Sequence, residues 1–348
     1  MINPPLLTRQ LLFVALIGLT SVLVACQQNT AIPKDEASFV TATGLSPYER
    51  PKWSPDGSRL AFTEFGQIGL GDTHLVIFSF ADERLTKLTF MGGYYPSASW
   101  SPDGSKLVVA RVQERGRGND IQVVDLTTQQ VKTIAVGENA VWSPNGESIA
   151  IYLGPYLTGD RDSFVIQLVQ PDGTLVRKIS LPITPTPLGP TPVPGSPARG
   201  QLFNIPSSPA EDSFGGMDWS PDSQQIVLGI RHRPLGGKTT GELYILDLYD
   251  DGFHSIVTGG DIYSPAWSPN GKTIAYIKRP EPESWRGDLY FTDPNGTCTA
   301  LITNRLSFES LSWAPDNSQI VYEDGNTIYI LDVKKKLASG TTPINSCP

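Results

Sequence analysis

Histidine is scarce in this chain. Only His74, His232 and His254 occur, and none is spaced from another His or Cys as zinc ligands are. There is no Gly-x-Ser-x-Gly nucleophile elbow, which excludes the hydrolases built on that turn. There is no glycine loop of the Walker pattern either, which excludes the commonest phosphate cradle. Positive charge is in deficit, 27 Lys and Arg against 35 Asp and Glu, net −8. That argues against a general affinity for nucleic acid. Cysteine is limited to Cys26, Cys298 and Cys347. Long apolar runs are missing except for one, Leu11–Ala25, in a leader with no acidic residue and a single Arg, Arg9. Fifteen residues at ~1.5 Å each reach about 22 Å, short of a ~30 Å hydrocarbon core. The run therefore reads as a secretory signal rather than a spanning helix.

Glycine and proline are plentiful, 33 and 30 residues, as many tight turns require. The turns recur in a fixed phrase. "WSPDGSRLAF" begins at Trp53, and related copies begin at Trp100, Trp142, Trp219, Trp267 and Trp313. A catalytic motif has no reason to appear six times, whereas a building block does. Pro55 fixes φ for the first corner of a type I turn, Asp56 suits the second, and Gly57 supplies the left-handed residue that closes a three-residue hairpin loop. Ser223 and Asn317 stand in the glycine position of the fourth and sixth copies.

Each turn is followed by an almost continuous apolar run, such as "KLVVAR" or "QIVLGI", the mark of a strand covered on both faces. A second and a third strand follow in most repeats, for example "ELYILDL" and "FHSIVTG". With the strand ending at Trp, each repeat holds four antiparallel strands. The Trp-to-Trp intervals are 47, 42, 77, 48 and 46 residues, the size of propeller blades. The expected fold is all-β, a six-bladed β-propeller of four-stranded antiparallel blades over residues 39–343, with a tail over 344–348. The sixth repeat lacks a fourth strand. Ala37–Gly44 is expected to supply it and close the ring, with Leu337–Thr342 as the alternative.

"WSPDG", then an Ile/Leu-Ala-Phe strand, then an Ile-Tyr-x-x-Asp strand resembles the repeat of TolB-type β-propellers. That repeat is related to the WD repeat and to the propeller of prolyl oligopeptidases. The resemblance covers about Ser46 to Val333 and implies a six-bladed ring. It says little about function, since propellers host many. TolB itself carries an α/β domain before its propeller and is soluble. Here only about twenty residues separate Cys26 from the first blade, so TolB's partners do not carry over.

The leader ends in "LVAC", Leu23–Cys26, which resembles a bacterial lipoprotein cleavage box. The resemblance implies removal of residues 1–25 and acylation of Cys26, with 26–38 as a tether. Two or more acyl chains give stable anchoring. Twelve flexible residues have a reach of about 20 Å. The expected location is the cell envelope, anchored to a membrane and facing the periplasm or the exterior. In that compartment a disulfide between Cys298 and Cys347 is permitted, the other reading being two free buried thiols.

The long third interval holds an insertion over 181–213, including the Pro-rich Pro182–Gly200. It reads as an extended loop between blades three and four, either a flexible insertion or a docking segment. Aligned on the Trp, Glu49, Glu138 and Glu309 fall four residues before it, and Tyr48, Tyr95, Phe214 and Phe308 five before it. These positions are expected to gather at one mouth of the channel. The three carboxylates would hold Ca²⁺ or a basic ligand group, or else are solvated surface Glu with aromatics wedged between blades. The loops between second and third strands are expected on the same side. They carry ten basic residues, including Arg111, Arg115, Arg117, Arg231, Arg233, Arg279 and Arg286, together with Trp285. Arg and Trp are interface anchors, so this face suits a protein, a peptide terminus or an anionic glycan. The plain alternative is solvated loops paired with their own acids. The expected function is a non-enzymatic, lipid-anchored binding propeller with no cofactor. The alternatives are a metal-dependent hydrolase or lactonase using the axial carboxylates, and a scaffold with no small ligand.

Overall fold

The structure, a computed structural model, describes residues 37–41, 48–64, 73–91, 93–113, 118–158, 164–181, 213–232, 240–279, 287–306, 310–324 and 327–338. The leader, Cys26, most of the tether, the Pro-rich insertion and the tail with Cys347 lie outside the described residues.

Six four-stranded sheets succeed one another in a ring. Blade 1 comprises β2 (Tyr48–Trp53), β3 (Arg59–Glu64), β4 (His74–Ser79) and β5 (Arg84–Lys87). Blade 2 comprises β6 (Ser97–Trp100), β7 (Lys106–Val112), β8 (Asn119–Asp125) and β9 (Val131–Gly137). Blade 3 comprises β10 (Asn139–Trp142), β11 (Ile149–Leu153), β12 (Phe164–Val169) and β13 (Leu175–Leu181), with a short helix α1 (Pro155–Thr158) after β11. Blade 4 comprises β14 (Ser213–Trp219), β15 (Gln225–His232), β16 (Thr240–Asp247) and β17 (Phe253–Thr258). Blade 5 comprises β18 (Asp261–Trp267), β19 (Ile274–Arg279), β20 (Gly287–Thr292) and β21 (Thr299–Leu306). Blade 6 comprises β22 (Leu311–Trp313), β23 (Gln319–Asp324) and β24 (Thr327–Asp332), and its outer strand is β1 (Ala37–Thr41). The N-terminal stretch thus closes the ring, as expected. The alternative, Leu337–Thr342, is not available because β24 runs into the helix α2 (Val333–Ala338). The six Trp-bearing strands are innermost, and each contacts the next around the circle, β22 meeting β2.

The core lies between blades. One apolar cluster joins Tyr152, Phe164 and Ile166 of blade 3 to Trp219, Ile226 and Leu228 of blade 4. Another joins Phe62 and Phe78 of blade 1 to Val321 and Ile330 of blade 6. This two-sided burial accounts for the unbroken apolar runs after each turn.

The repeated phrase is a locked turn. The Gly-position residues all have left-handed φ, from Gly57 at 70° to Ser223 at 59° and Asn317 at 62°. In the first five copies the buried Ser donates to the Asp or Asn two residues on, at 2.6–2.8 Å. The same Ser Oγ accepts the N–H five residues on, at 2.8–3.0 Å. The sixth copy has Ala314 instead. Ala314→Ser is expected to restore both bonds and stabilise the protein by about 1 kcal/mol. A thermal melt with no upward shift would count against this account of the motif.

The seams between blades alternate. From blade 1 to 2, 3 to 4 and 5 to 6, the later Trp donates its indole N–H to the carbonyl before the earlier Trp. These are Trp100 to Lys52, Trp219 to Val141 and Trp313 to Ala266, each 3.1 Å. At the other three seams the later Trp donates its backbone N–H to a polar side chain in that same position. These are Trp142 to Ser99 (3.1 Å), Trp267 to Asp218 (2.8 Å) and Trp53 to Ser312 (3.2 Å). The bonds made at the Trp thus repeat every second blade. Ser223 and Asn317 belong to this scheme. Their side chains accept the turn N–H of Asn145 (3.1 Å) and Asn270 (2.9 Å) from the preceding blade, which offsets their left-handed backbone.

Candidate functional site: loop face and axis

Strand direction divides the ring into two faces. Each innermost strand ends at its Trp and the locked turn, on the turn face. The opposite loop face carries the starts of those strands and the connections between second and third strands. Ser213, Arg231 and Gly241 are paired across one such edge. Arg115, Arg117, Arg233, Trp285, Arg286, Phe308 and Glu309 lie outside the described residues. Tyr48 and Glu49 are placed in β2 by their backbone alone.

Two aromatics expected at the mouth turn out to be wedges. Tyr95 is 1% exposed and packs in the core between blades 1 and 2. Burial pushes its phenol pKa up, and the charge of Arg111, together with a hydrogen bond between the two, opposes that shift. Phe214 stacks on Tyr152 across the seam between blades 3 and 4, 3.9 Å between centroids. Tyr95 is closed off, and half-buried Phe214 has one ring face taken by Tyr152, because the seam is filled by large side chains there. Arg111 itself faces Asp120 at 3.9 Å, the plain reading of a loop base paired with its own acid.

Arg231 sits in a built cluster between blades 4 and 5. Asp261, at the start of β18, is 2% exposed. Arg231 Nε lies 2.6 Å from one of its oxygens and Arg279 Nη1 lies 3.6 Å from the other. Both guanidinium groups lie over Tyr263, at 5.9 and 4.5 Å from the ring centroid. A Cβ at Gly287 would come within 2.4 Å of Ile277 Cγ2 and 3.0 Å of the Tyr263 hydroxyl, so that glycine leaves room for both side chains. Two guanidinium groups thus share one buried carboxylate. The sequence pointed to both arginines but not to Asp261 or Tyr263. The missed signal is Asp261 directly after Gly259–Gly260, opening the strand beside both loops.

Among the described residues no group of three or more His, Cys, Asp or Glu is arranged to hold a metal ion. Glu138 is partly buried, and burial raises its carboxyl pKa. Its carboxylate occupies the space beside Gly154, where a Cβ would come within 1.9 Å of Oε1.

The axis carries charges that sequence reasoning passed over. Lys52 in blade 1 and Asp218 in blade 4, on opposite sides of the ring, each directly precede the Trp. Lys52 Nζ donates to Leu311 O at 2.8 Å. Asp218 accepts the backbone N–H of Trp219 (3.0 Å) and of Trp267 (2.8 Å). Both side chains retain some accessibility along the channel yet are enclosed by protein. Desolvation lowers the Lys52 pKa, opposed by Asp218 and Glu323. Desolvation raises the Asp218 pKa to about 6, opposed by Lys52. Glu323, 2% exposed, accepts the N–H of Arg50 at 3.3 Å. Arg50, at φ 58°, reaches on to Pro96 O in blade 2.

Cys298 lies in the turn between β20 and β21 and is disulfide-bonded. It is the one cysteine among the described residues, so its partner lies outside them.

No protein-family model matches the chain, and no curated protein does. Many solved structures match. A TolB structure from Agrobacterium tumefaciens aligns over 82% of this chain and 90% of its own, with 18% identity and a TM-score of 0.53. The fold is that of the TolB-like propellers. TolB from Acinetobacter baumannii aligns over 72% of this chain with 20% identity and a TM-score of 0.49. The chain spans about half of that protein's length, 53%. An oligogalacturonate lyase from Vibrio parahaemolyticus aligns over 87% of this chain and 95% of its own, with 12% identity and a TM-score of 0.52. Likeness at these identities carries the fold alone.

Proposed function

We propose that this TolB-like propeller is a non-enzymatic binding module of the cell envelope, lipid-anchored through Cys26. Its partner would be a protein or peptide bound on the loop face between blades 4 and 5. The observation that carries the reading is the cluster of Arg231 and Arg279 on buried Asp261. Ion pairing and Tyr263 hold the two guanidinium groups in place before any ligand arrives, which reduces the ordering cost of binding. The loops that flank it in sequence add Arg233, Lys238, Trp285 and Arg286. An anionic group, such as a carboxyl terminus or an acidic side chain, is the complementary chemistry.

Cys26 fits the anchoring role only if its thiol is left over. Three cysteines and one disulfide at Cys298 leave one thiol. We assign the disulfide partner as Cys347, which frees Cys26 for acylation. No helix among the described residues is long and apolar enough to cross a membrane.

The test is capture from envelope extract on immobilised protein. The wild type is expected to retain a partner that Arg233→Glu with Arg286→Glu releases, while both proteins melt alike. Identical capture by the two would overturn the reading. The second reading, a metal-dependent hydrolase or lactonase, draws on Glu138, half-enclosed near the mouth, with Glu49 and Glu309. A rise in melting temperature on adding Ca²⁺ would be its mark.

A further inference from the structure

The direction of β1 fixes where the anchor joins the ring. The innermost strand β22 ends at the locked turn, β23 returns to the loop face, and β24 runs back to the turn face, where α2 begins. β1 lies antiparallel beside β24 as the outer strand of blade 6. It therefore starts at Ala37 on the turn face and ends at Thr41 on the loop face. The same polarity suits the step into blade 1, because β2 starts on the loop face at Tyr48 after a short connection. The chain coming from Cys26 thus enters the propeller at the rim of the turn face.

We propose that the lipid anchor holds the propeller with its turn face toward the membrane and its loop face away from it. This orientation depends on acylation of Cys26, as proposed for the function. Ten residues lie between Cys26 and Ala37. As a flexible chain they reach about 15–20 Å, and fully extended no more than about 40 Å. A strand of six residues already makes the ring about 20 Å thick. Turning the loop face to the lipid would require the tether to pass around the rim, across that thickness, and under the ring.

Charge sets the stance. The turn face presents Asp56, Asp103, Asp222 and Asp316 of the locked turns and Asp250 of blade 4, and it is acidic. Anionic headgroups repel such a face within a Debye length of about 8 Å. Lys334, Lys335 and Lys336 cluster on α2, at the end of β24 and so beside the strand that receives the tether. Three lysines near an anionic surface attract it. Blade 6 is then the edge nearest the lipid. The cationic cluster at Asp261 faces outward, where a partner that is not part of the same membrane surface can reach it.

The two ends of β16 supply the test. Tyr249, just beyond its turn-face end, is 92% exposed. Thr240, at its loop-face end, is exposed as well. A fluorescent amino acid is placed at one or the other position in the full lipidated protein. The protein is then reconstituted into phosphatidylethanolamine–phosphatidylglycerol vesicles carrying a headgroup quencher. The label at Tyr249 is expected to lose clearly more of its emission than the label at Thr240. Flotation with the vesicles but equal quenching, or stronger quenching at Thr240, overturns the orientation and leaves the anchor standing. Failure to float, with Cys26→Ser behaving like the wild type, overturns the anchor and the orientation together.

Discussion

Asp218→Ala is expected to lower the stability of the ring by about 3–5 kcal/mol, since two enclosed N–H groups lose a charged acceptor at roughly 1.5–3 kcal/mol each. Three losses coincide. The backbone N–H groups of Trp219 and Trp267 lose their acceptor. The seam between blades 4 and 5 loses the link that Ser99 and Ser312 supply at the two equivalent seams. Lys52 keeps its desolvation but loses the first of its compensating charges. Asp218→Asn preserves the shape and one acceptor, and its cost should be nearer 1–2 kcal/mol. The pH dependence is more specific still. An acid held at about 6 when folded, against ~3.9 when unfolded, binds its proton more tightly in the fold. Its contribution to stability is complete below about pH 4 and is lost as pH rises through 6. The difference between the two states corresponds to something on the order of 3 kcal/mol. Asp56 and Asp103 act in the opposite sense. Hydrogen bonds from Ser54 and Ser101 lead the groups that hold their pKa values at about 2. Their contribution is present above about pH 4 and is lost as pH falls through 2. These two are exposed, so screening keeps each below about 1 kcal/mol. The denaturation midpoint in urea should therefore peak between about pH 4 and pH 5 and decline toward neutrality. Asp218→Asn should abolish that decline, and Asp56→Asn with Asp103→Asn should soften the acid limb, as the neutral Asn145 and Asn270 already do in their own turns. A wild-type profile flat from about pH 5 to pH 8 would show that Asp218 does not titrate there.

How much of the fold was legible in the sequence depends on how local each task is. The Ser, Asp and Gly of the phrase act within six residues of one another, so six copies announced six turns. The missing fourth strand in the last repeat was legible because a count falls short there, and Ala37–Thr41 supplied it. The seams were not legible. Lys52, Ser99, Val141, Asp218, Ala266 and Ser312 share one position but look unrelated in the sequence. Their alternation acquires meaning only when neighbouring blades meet, and the opposition of Lys52 to Asp218 only when the ring closes. Tyr95 and Phe214 mark the converse limit. The alignment placed aromatics at one height in the ring, but it could not distinguish a ring facing the channel from one filling a seam.

Deleting residues 1–45 should leave a propeller that melts well below one lacking only residues 1–36. Both forms lack the leader and Cys26, and they differ in β1. Without that strand, the outer edge of β24 presents its unpaired N–H and C=O groups to solvent. Replacing a five-residue ladder by water costs on the order of 3–5 kcal/mol, at roughly 1 kcal/mol for each hydrogen bond lost. The inner contacts at the same seam remain. Trp53 still donates to Ser312, Lys52 to Leu311, and Arg50 to Glu323. The ring should therefore keep its strand content at low temperature while its sixth blade loosens. An exposed edge reading "TIYILD" is β-prone and, for a sheet margin, unusually apolar, which is a template for pairing with a second copy. Size-exclusion chromatography should accordingly show concentration-dependent association for the longer deletion and a single monomeric peak for the shorter. Equal melting temperatures and equal monomeric profiles would mean that the inner strands alone close the circle. The opposite result makes β1 the strand that completes the fold, although it stands at the far end of the sequence from β24, the strand it pairs with.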